Sequence, residues 1–132
     1  MIDPRDRQEI RDLTCRYNDA FDGADANAWV NTFTEDGTFE SRVGGKVNGR
    51  EALLEWFEKR PHDTIHATTD ALVEGDGDTA TQVCTVLVFE RHGEGAYLRS
   101  VGKYSDRLRR TPEGWRFSYR NPVTMRISGE PH

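Results

Sequence analysis

The sequence holds four histidines, and they differ in what they could do. His62 and His92 fall in punctuated loop stretches and His132 at the terminus, whereas His66 sits inside an extended run, Thr64 to Glu74, rich in β-branched residues. In a strand there, Thr64, His66, Thr68 and Asp70 share one face, and Ile65, Ala67 and Ala71 the other. An imidazole on a polar face can take and return a proton near neutrality at little cost, because its unperturbed pKa is about 6.5. A carboxylate on its second nitrogen would fix the tautomer and stabilise the cation that forms. Asp25, at a corner between two expected helices, is the candidate for that orienting role. Arg120 is the candidate for stabilising negative charge on a departing group or an enolate-like intermediate. Each has a plainer reading: His66 as a hydrogen-bonded sheet residue, Asp25 as a helix cap, Arg120 as a surface ion-pairing arginine near Arg116 and Arg126. Tyr17 either donates a hydrogen bond to a substrate or packs by its ring, and Trp29, Trp56, Phe39 and Phe89 read as core or pocket walls.

Other chemistries find less support. No HxH, HxxxH or Cys-rich spacing occurs, so no metal is expected, and neither a GxGxxG nor a GxxxxGK[ST] loop is present, so no nucleotide cofactor is expected either. A Gly-x-Ser-x-Gly elbow is absent too. The net charge of -5 argues against a nucleic-acid partner, and the run Arg107-Leu108-Arg109-Arg110 reads as a solvated strand end. No stretch approaches the roughly 18 apolar residues of a membrane span, and the first residues lack the pattern of a signal peptide, so a cytoplasmic location and no membrane partner are the expectation. Cys15 and Cys84 form no ligand cluster and are expected as free thiols, Cys15 off the apolar stripe of its helix.

The elements that must position these residues follow from the spacing. Asp3-Pro4 starts a helix whose Ile10, Leu13, Tyr17 and Phe21 recur on one face, with Gly23 as its cap. Asp25 caps a second short helix with Trp29, Val30 and Phe33 on one face, closed by Asp36-Gly37. Thr38 to Arg42, Gly44-Gly45 and Lys46-Val47 read as a hairpin, and Asn48-Gly49 leads into a third helix, about Arg50 to Lys59. Four long strands are then expected, at about Thr64 to Glu74, Thr79 to Glu90, Ala96 to Arg109 and Trp115 to Ile127. Helices first and hairpin-linked strands afterwards make one α+β domain, a curved antiparallel or mixed sheet with three helices of the N-terminal half over its concave face. The space between them is where a pocket is expected.

Several strings carry a family resemblance: Ile10-Arg11-Asp12-Leu13 with Tyr17, Phe21-Asp22-Gly23-Ala24-Asp25, Trp29 to Phe33 before Thr34-Glu35-Asp36-Gly37, Gly49-Arg50-Glu51-Ala52, and Gly114-Trp115-Arg116-Phe117. Over about residues 5 to 125 the chain resembles the SnoaL-like branch of the nuclear transport factor 2-like superfamily, with its cone-shaped, cystatin-like fold. Within it, Tyr17-Asn18-Asp19 through Asp25, Asp63-Thr64-Ile65-His66 and Trp115 to Asn121 are similar to gamma-hexachlorocyclohexane dehydrochlorinase and scytalone dehydratase. The resemblance implies Asp25 as carboxylate partner, His66 as base and Arg120 as cationic stabiliser, with Asp22 as the alternative carboxylate on the dehydratase pattern. Tyr17, Asp22, Trp29, Phe39 and Phe89 would face the substrate. The implied activity is a cofactor-independent lyase (a dehydratase or dehydrohalogenase) or an isomerase, acting on a small hydrophobic or polyketide- or steroid-like molecule. The alternatives are a non-catalytic small-molecule-binding or assembly domain and a natural-product cyclase. A homo-oligomer, dimer or trimer, is implied as well.

Overall fold

A computed structural model describes residues 1–41 and 45–126. The element order is α1 (Pro4–Asp22), α2 (Ala26–Val30), β1 (Phe33–Ser41), β2 (Gly45–Asn48), α3 (Arg50–Glu58), β3 (Thr64–Asp76), β4 (Thr79–His92), β5 (Gly95–Thr111) and β6 (Gly114–Arg126). The six strands form one mixed sheet in the order β2-β1-β6-β5-β4-β3, antiparallel throughout except where β1 runs parallel to β6. This is the α+β architecture the sequence implies, with the three helices on one face of a curved, unclosed sheet. The expected hairpin residues Arg42 and Gly44, the strand end at Ile127, and His132 lie outside the described residues.

Local chemistry accounts for most boundaries. Asp3 accepts a hydrogen bond from the Arg5 amide at 2.7 Å, Pro4 occupies the first turn, and Gly23 ends α1. Ala24 then adopts φ 56°, a left-handed conformation that a residue with a Cβ rarely takes, and this reverses the chain within one residue. One expectation about this region is corrected. The second helix stops at Val30, and Phe33 opens β1, with Asp36-Gly37 inside that strand rather than after a helix. The β1–β6 register shifts between Phe33 and Thr38, and a Cβ on Gly37 would stand 3.1 Å from the Phe117 carbonyl oxygen. A side chain there would be a tight fit, to which the neighbouring backbone would have to yield slightly.

The space between helices and sheet is filled by rings. Tyr17, Phe21, Trp29, Phe33, Phe39, Phe57 and Phe117 are buried and pack edge-on or tilted at centroid distances of 5.1–6.3 Å. The opposite face of the sheet leaves Ile65, Leu72, Val83 and Val123 exposed.

α1 runs along the free edge of β3, and its side chains occupy that edge in order. The Arg7 guanidinium donates to the Val73 carbonyl, Arg11 to the Ala71 carbonyl at 3.3 Å, Asn18 to the Thr68 hydroxyl at 3.2 Å, and Asp22 meets His66. An edge strand has a row of unpaired backbone groups, and this helix covers them.

Candidate active site

The edge seam ends in a carboxylate–imidazole pair. Asp22 is the last residue of α1, and His66 is the third residue of β3. The His66 Nδ1–H donates to Asp22 Oδ1 at 2.7 Å, and the His66 backbone N–H donates to Asp22 Oδ2 at 2.7 Å. The Thr64 hydroxyl, on the same strand face, also donates to Oδ1 at 3.3 Å. That backbone amide points away from β4, so without Asp22 it would have no strand partner. One carboxylate thus fixes both the ring and the backbone of the histidine, and the Nδ1–H tautomer leaves Nε2 as a free lone pair. Nε2 has no hydrogen-bond partner among the described residues. The side chains are 11% and 21% exposed, the Phe21 ring lies edge-on to the imidazole at 5.1 Å, and Val88 pairs with His66 in the sheet. This arrangement holds the imidazole largely out of bulk water, with a nitrogen lone pair that could accept a proton.

Asp25 is not the partner of His66. It lies beyond the end of α1 and across the left-handed Ala24, it is exposed, and its Oδ1 accepts from the Ala28 amide at 3.1 Å as the cap of α2. It lines an outer cleft of about 540 Å³ between α1 and α2, with Arg16, Asn31 and Arg116. The sequence signal for Asp22 was readable in the helix. Thr14, Asn18 and Asp22 recur at four-residue spacing on one flank of α1, and each bonds a polar residue of β3 or β4, namely Gln82, Thr68 and His66.

Arg120 is neither at the surface nor in contact with the pair. It is fully buried, its Nε stands 3.0 Å from Asp106 Oδ1, and its guanidinium carbon lies 3.6 Å from the Tyr104 ring centroid and 4.3 Å from those of Tyr17 and Phe117. The Nε–H is aimed off the carboxylate, and neither Nη1 nor Nη2 has an acceptor among the described residues. Asp106 in turn accepts from Gln82 Nε2 at 3.1 Å, and Gln82 donates to the Thr14 hydroxyl at 2.8 Å. Burial raises the pKa of the Asp106 carboxyl, and the Arg120 charge opposes that rise. Burial likewise raises the Tyr17 and Tyr104 phenols. These residues form a polar row inside the core, with the Arg120 guanidinium against the rings of Tyr17, Tyr104 and Phe117.

Of the expected substrate-facing residues, Tyr17, Trp29 and Phe39 are buried members of the ring cluster. Phe89 pairs with Ile65, one step out of phase with His66, so it lies on the opposite face of the sheet from the imidazole. It cannot line a cavity shared with that ring. Large aromatic side chains fill much of the space between the helices and the concave face. The dyad stands at the rim of their cluster. A cleft of about 420 Å³ opens between α1 and β3 beside Thr14, Thr68, Asp70, Gln82 and Cys84, where β3 bulges and Asp70 takes φ 55°. Among the described residues, no three His, Cys, Asp or Glu side chains converge in a way that could hold a metal ion.

With this geometry in place, comparison with known proteins is decisive for the family. The SnoaL-like domain matches residues 4–121. The chain belongs to the SnoaL-like family. Among solved structures it is similar to Rv3472 of Mycobacterium tuberculosis, a protein of unknown function solved as an aspartate-to-asparagine variant. The two are 35% identical over 92% of this chain and 77% of that one, with a TM-score of 0.81. An NTF2-like protein with a cystatin-like fold from Novosphingobium aromaticivorans is 31% identical over 96% and 84% of the two chains, TM-score 0.82. LinA is 22% identical over 96% and 92%, TM-score 0.79, a likeness of fold. No curated protein matches the chain. No helix is long and apolar enough to cross a membrane among the described residues.

Proposed function

We propose that this SnoaL-like domain is a cofactor-independent lyase or isomerase, and that His66 abstracts a proton from carbon with Asp22 as its orienting carboxylate. The observation that carries the reading is the doubly anchored imidazole: Asp22 receives both the Nδ1–H and the backbone N–H of His66 at 2.7 Å, leaving Nε2 basic and unpartnered. A purely structural histidine would serve as well with either nitrogen bonded, and needs no carboxylate behind it. The carboxylate stabilises the imidazolium that forms on proton transfer, and partial burial strengthens that attraction. Loss of water or halide from the adjacent carbon, or return of the proton elsewhere, would complete a dehydration, dehydrohalogenation or isomerisation. The substrate class that fits is a small, largely hydrophobic molecule with an acidified C–H. Arg120 does not touch a leaving group in this reading, since it is fully buried beside Asp106. A location in the cytoplasm and assembly into a homo-oligomer remain part of the proposal.

The test is a panel of small β-hydroxycarbonyl, halocycloalkane and enone compounds incubated in D2O, with deuterium uptake at carbon followed by NMR. Turnover should vanish in His66→Ala, fall by about 10²- to 10⁴-fold in Asp22→Asn, and be unchanged in Asp25→Asn, which keeps a good cap. Turnover that survives His66→Ala would overturn the assignment of the base. Equal loss in Asp22→Asn and Asp25→Asn would overturn that of the carboxylate.

A further inference from the structure

His62, four residues before the proposed base, makes a pair of contacts that one ordinary imidazole cannot satisfy. Its Nδ1 lies 2.9 Å from the Phe21 carbonyl oxygen and its Nε2 lies 3.0 Å from the Phe57 carbonyl oxygen. Both partners accept only, and a neutral ring carries one N–H, so one of the two contacts would set lone pair against lone pair. With a hydrogen on each nitrogen the ring donates to both. The two carbonyls belong to the last turns of α1 and α3, the negative ends of both helices, where a cation is favoured. The ring is held between the same two residues' side chains, with centroids 4.2 Å from Phe57 and 4.7 Å from Phe21.

Phe21 links this contact to the dyad. Its carbonyl takes the His62 bond, its ring lies edge-on to His66 at 5.1 Å, and the next residue is Asp22. The Phe21 carbonyl also accepts from the backbone N–H of Ala24 at 3.2 Å, the left-handed residue of the corner. The His62 backbone is itself tied down, its carbonyl accepting from Arg91 Nη2 at 3.0 Å.

We propose that His62 is a positioning residue: held with hydrogens on both ring nitrogens, it clamps the ends of α1 and α3 together and thereby sets Asp22 and Phe21 against His66. The inference deepens the proposed function and rests on it for its purpose, while its geometry can be tested without turnover. In the native chain, NMR of selectively labelled histidine should show two exchange-protected ring N–H signals for His62, each coupled to a backbone carbonyl. In His62→Phe, which keeps a ring between Phe21 and Phe57 but removes both donors, exchange of the His66 Nδ1–H should speed up by about tenfold, the size of one hydrogen bond. His62→Gln, with one amide nitrogen to donate, should fall between. A single protected ring hydrogen on His62 in the native protein would overturn the clamp even if the variants failed to fold. An unchanged His66 signal in a folded His62→Phe would overturn the positioning role. Neither result bears on whether His66→Ala abolishes turnover, so failure of the clamp and failure of the proposed chemistry are separable.

Discussion

Removing either member of the Arg120–Asp106 pair should destabilise the protein, but unequally and with different responses to pH. Both side chains are fully buried and 3.0 Å apart. Breaking such a pair from one side costs about 3–5 kcal/mol because it strands a buried charge, out of a total stability of about 5–15 kcal/mol for a domain. In Asp106→Leu the stranded charge is a guanidinium, which cannot shed its proton, and the full penalty should persist at every pH. In Arg120→Met the stranded group is a carboxyl whose pKa burial already raises, and loss of the arginine removes the strongest influence holding it down. It can therefore neutralise itself by taking up a proton, and Met can still pack against Tyr17, Tyr104 and Phe117.

The direction with pH follows from linkage. In Arg120→Met the folded state holds a proton on Asp106 to higher pH than the unfolded chain does, so stability is lost as pH rises from the ordinary value of 3.8 through the raised folded value. The deficit relative to the native protein should shrink as pH falls from about 7 towards 4.5 in Arg120→Met, and should not shrink in Asp106→Leu, which has lost the carboxyl whose raised pKa adds stability to the native fold on acidification. The double variant should recover to within about 1–2 kcal/mol of the native chain, since an apolar pair strands nothing. Urea unfolding followed by the fluorescence of the buried Trp29 and Trp115 reads all four proteins. Single costs that simply add in the double variant, or identical pH responses of the two single variants, would refute the claim that these charges hold each other in the core.

Two further outcomes concern other parts of the molecule. Burial pushes the Cys84 thiol up to about 11 whereas Cys15 is exposed, so an alkylating reagent at pH 8 should modify one thiol per folded chain, at Cys15, and the second only on unfolding; mass spectrometry of the digested product checks the site. A Cβ at Gly102 would stand 2.3 Å from the Val123 carbonyl oxygen and 2.6 Å from the Thr124 Cα, so Gly102→Ala should part β5 from β6 and cost about 1–3 kcal/mol or more in urea unfolding, with Gly95→Ala, whose nearest atom is 3.8 Å away, as the tolerated control.

The fold was legible because its signals are local. Asp3-Pro4, Asp25 and the turns at Gly77, Gly93 and Gly114 punctuate the chain where elements begin and end, and the apolar spacing of Ile10, Leu13, Tyr17 and Phe21 matches the buried face of α1. What local signals miss is the path of a chain after it leaves a helix. Phe33 reads as one more apolar residue on the face of Trp29 and Val30, yet pairing with Phe117 on a strand over eighty positions away draws it into β1. Register also decides Phe89. It is aromatic and near His66 in space, but the register places it opposite Ile65, on the face turned away.

The carboxylate shows most clearly why a site is harder to read than a fold. Asp22 and Asp25 are three positions apart, with the same chemistry, flanking one corner. What separates them is the phase of α1, which carries Thr14, Asn18 and Asp22 along one flank towards the edge of β3, while the left-handed Ala24 turns Asp25 outward to cap α2. Three of the seam's contacts are made through polar side chains that a search for an apolar stripe discards. The same filter passed over His62, whose two acceptors are backbone carbonyls and leave no trace in residue types. Helical phase sets Asp22 on the same flank as Thr14 and Asn18, a pattern among polar residues whose meaning appears once β3 and β4 are seen to lie against it. The buried Arg120 follows a different logic, since an arginine between Tyr119 and Asn121 on a strand gives no sign that the β5–β6 register sets Asp106 directly opposite it, with both side chains in the core. Local pattern therefore locates the elements, and only the register between them decides which charged groups meet.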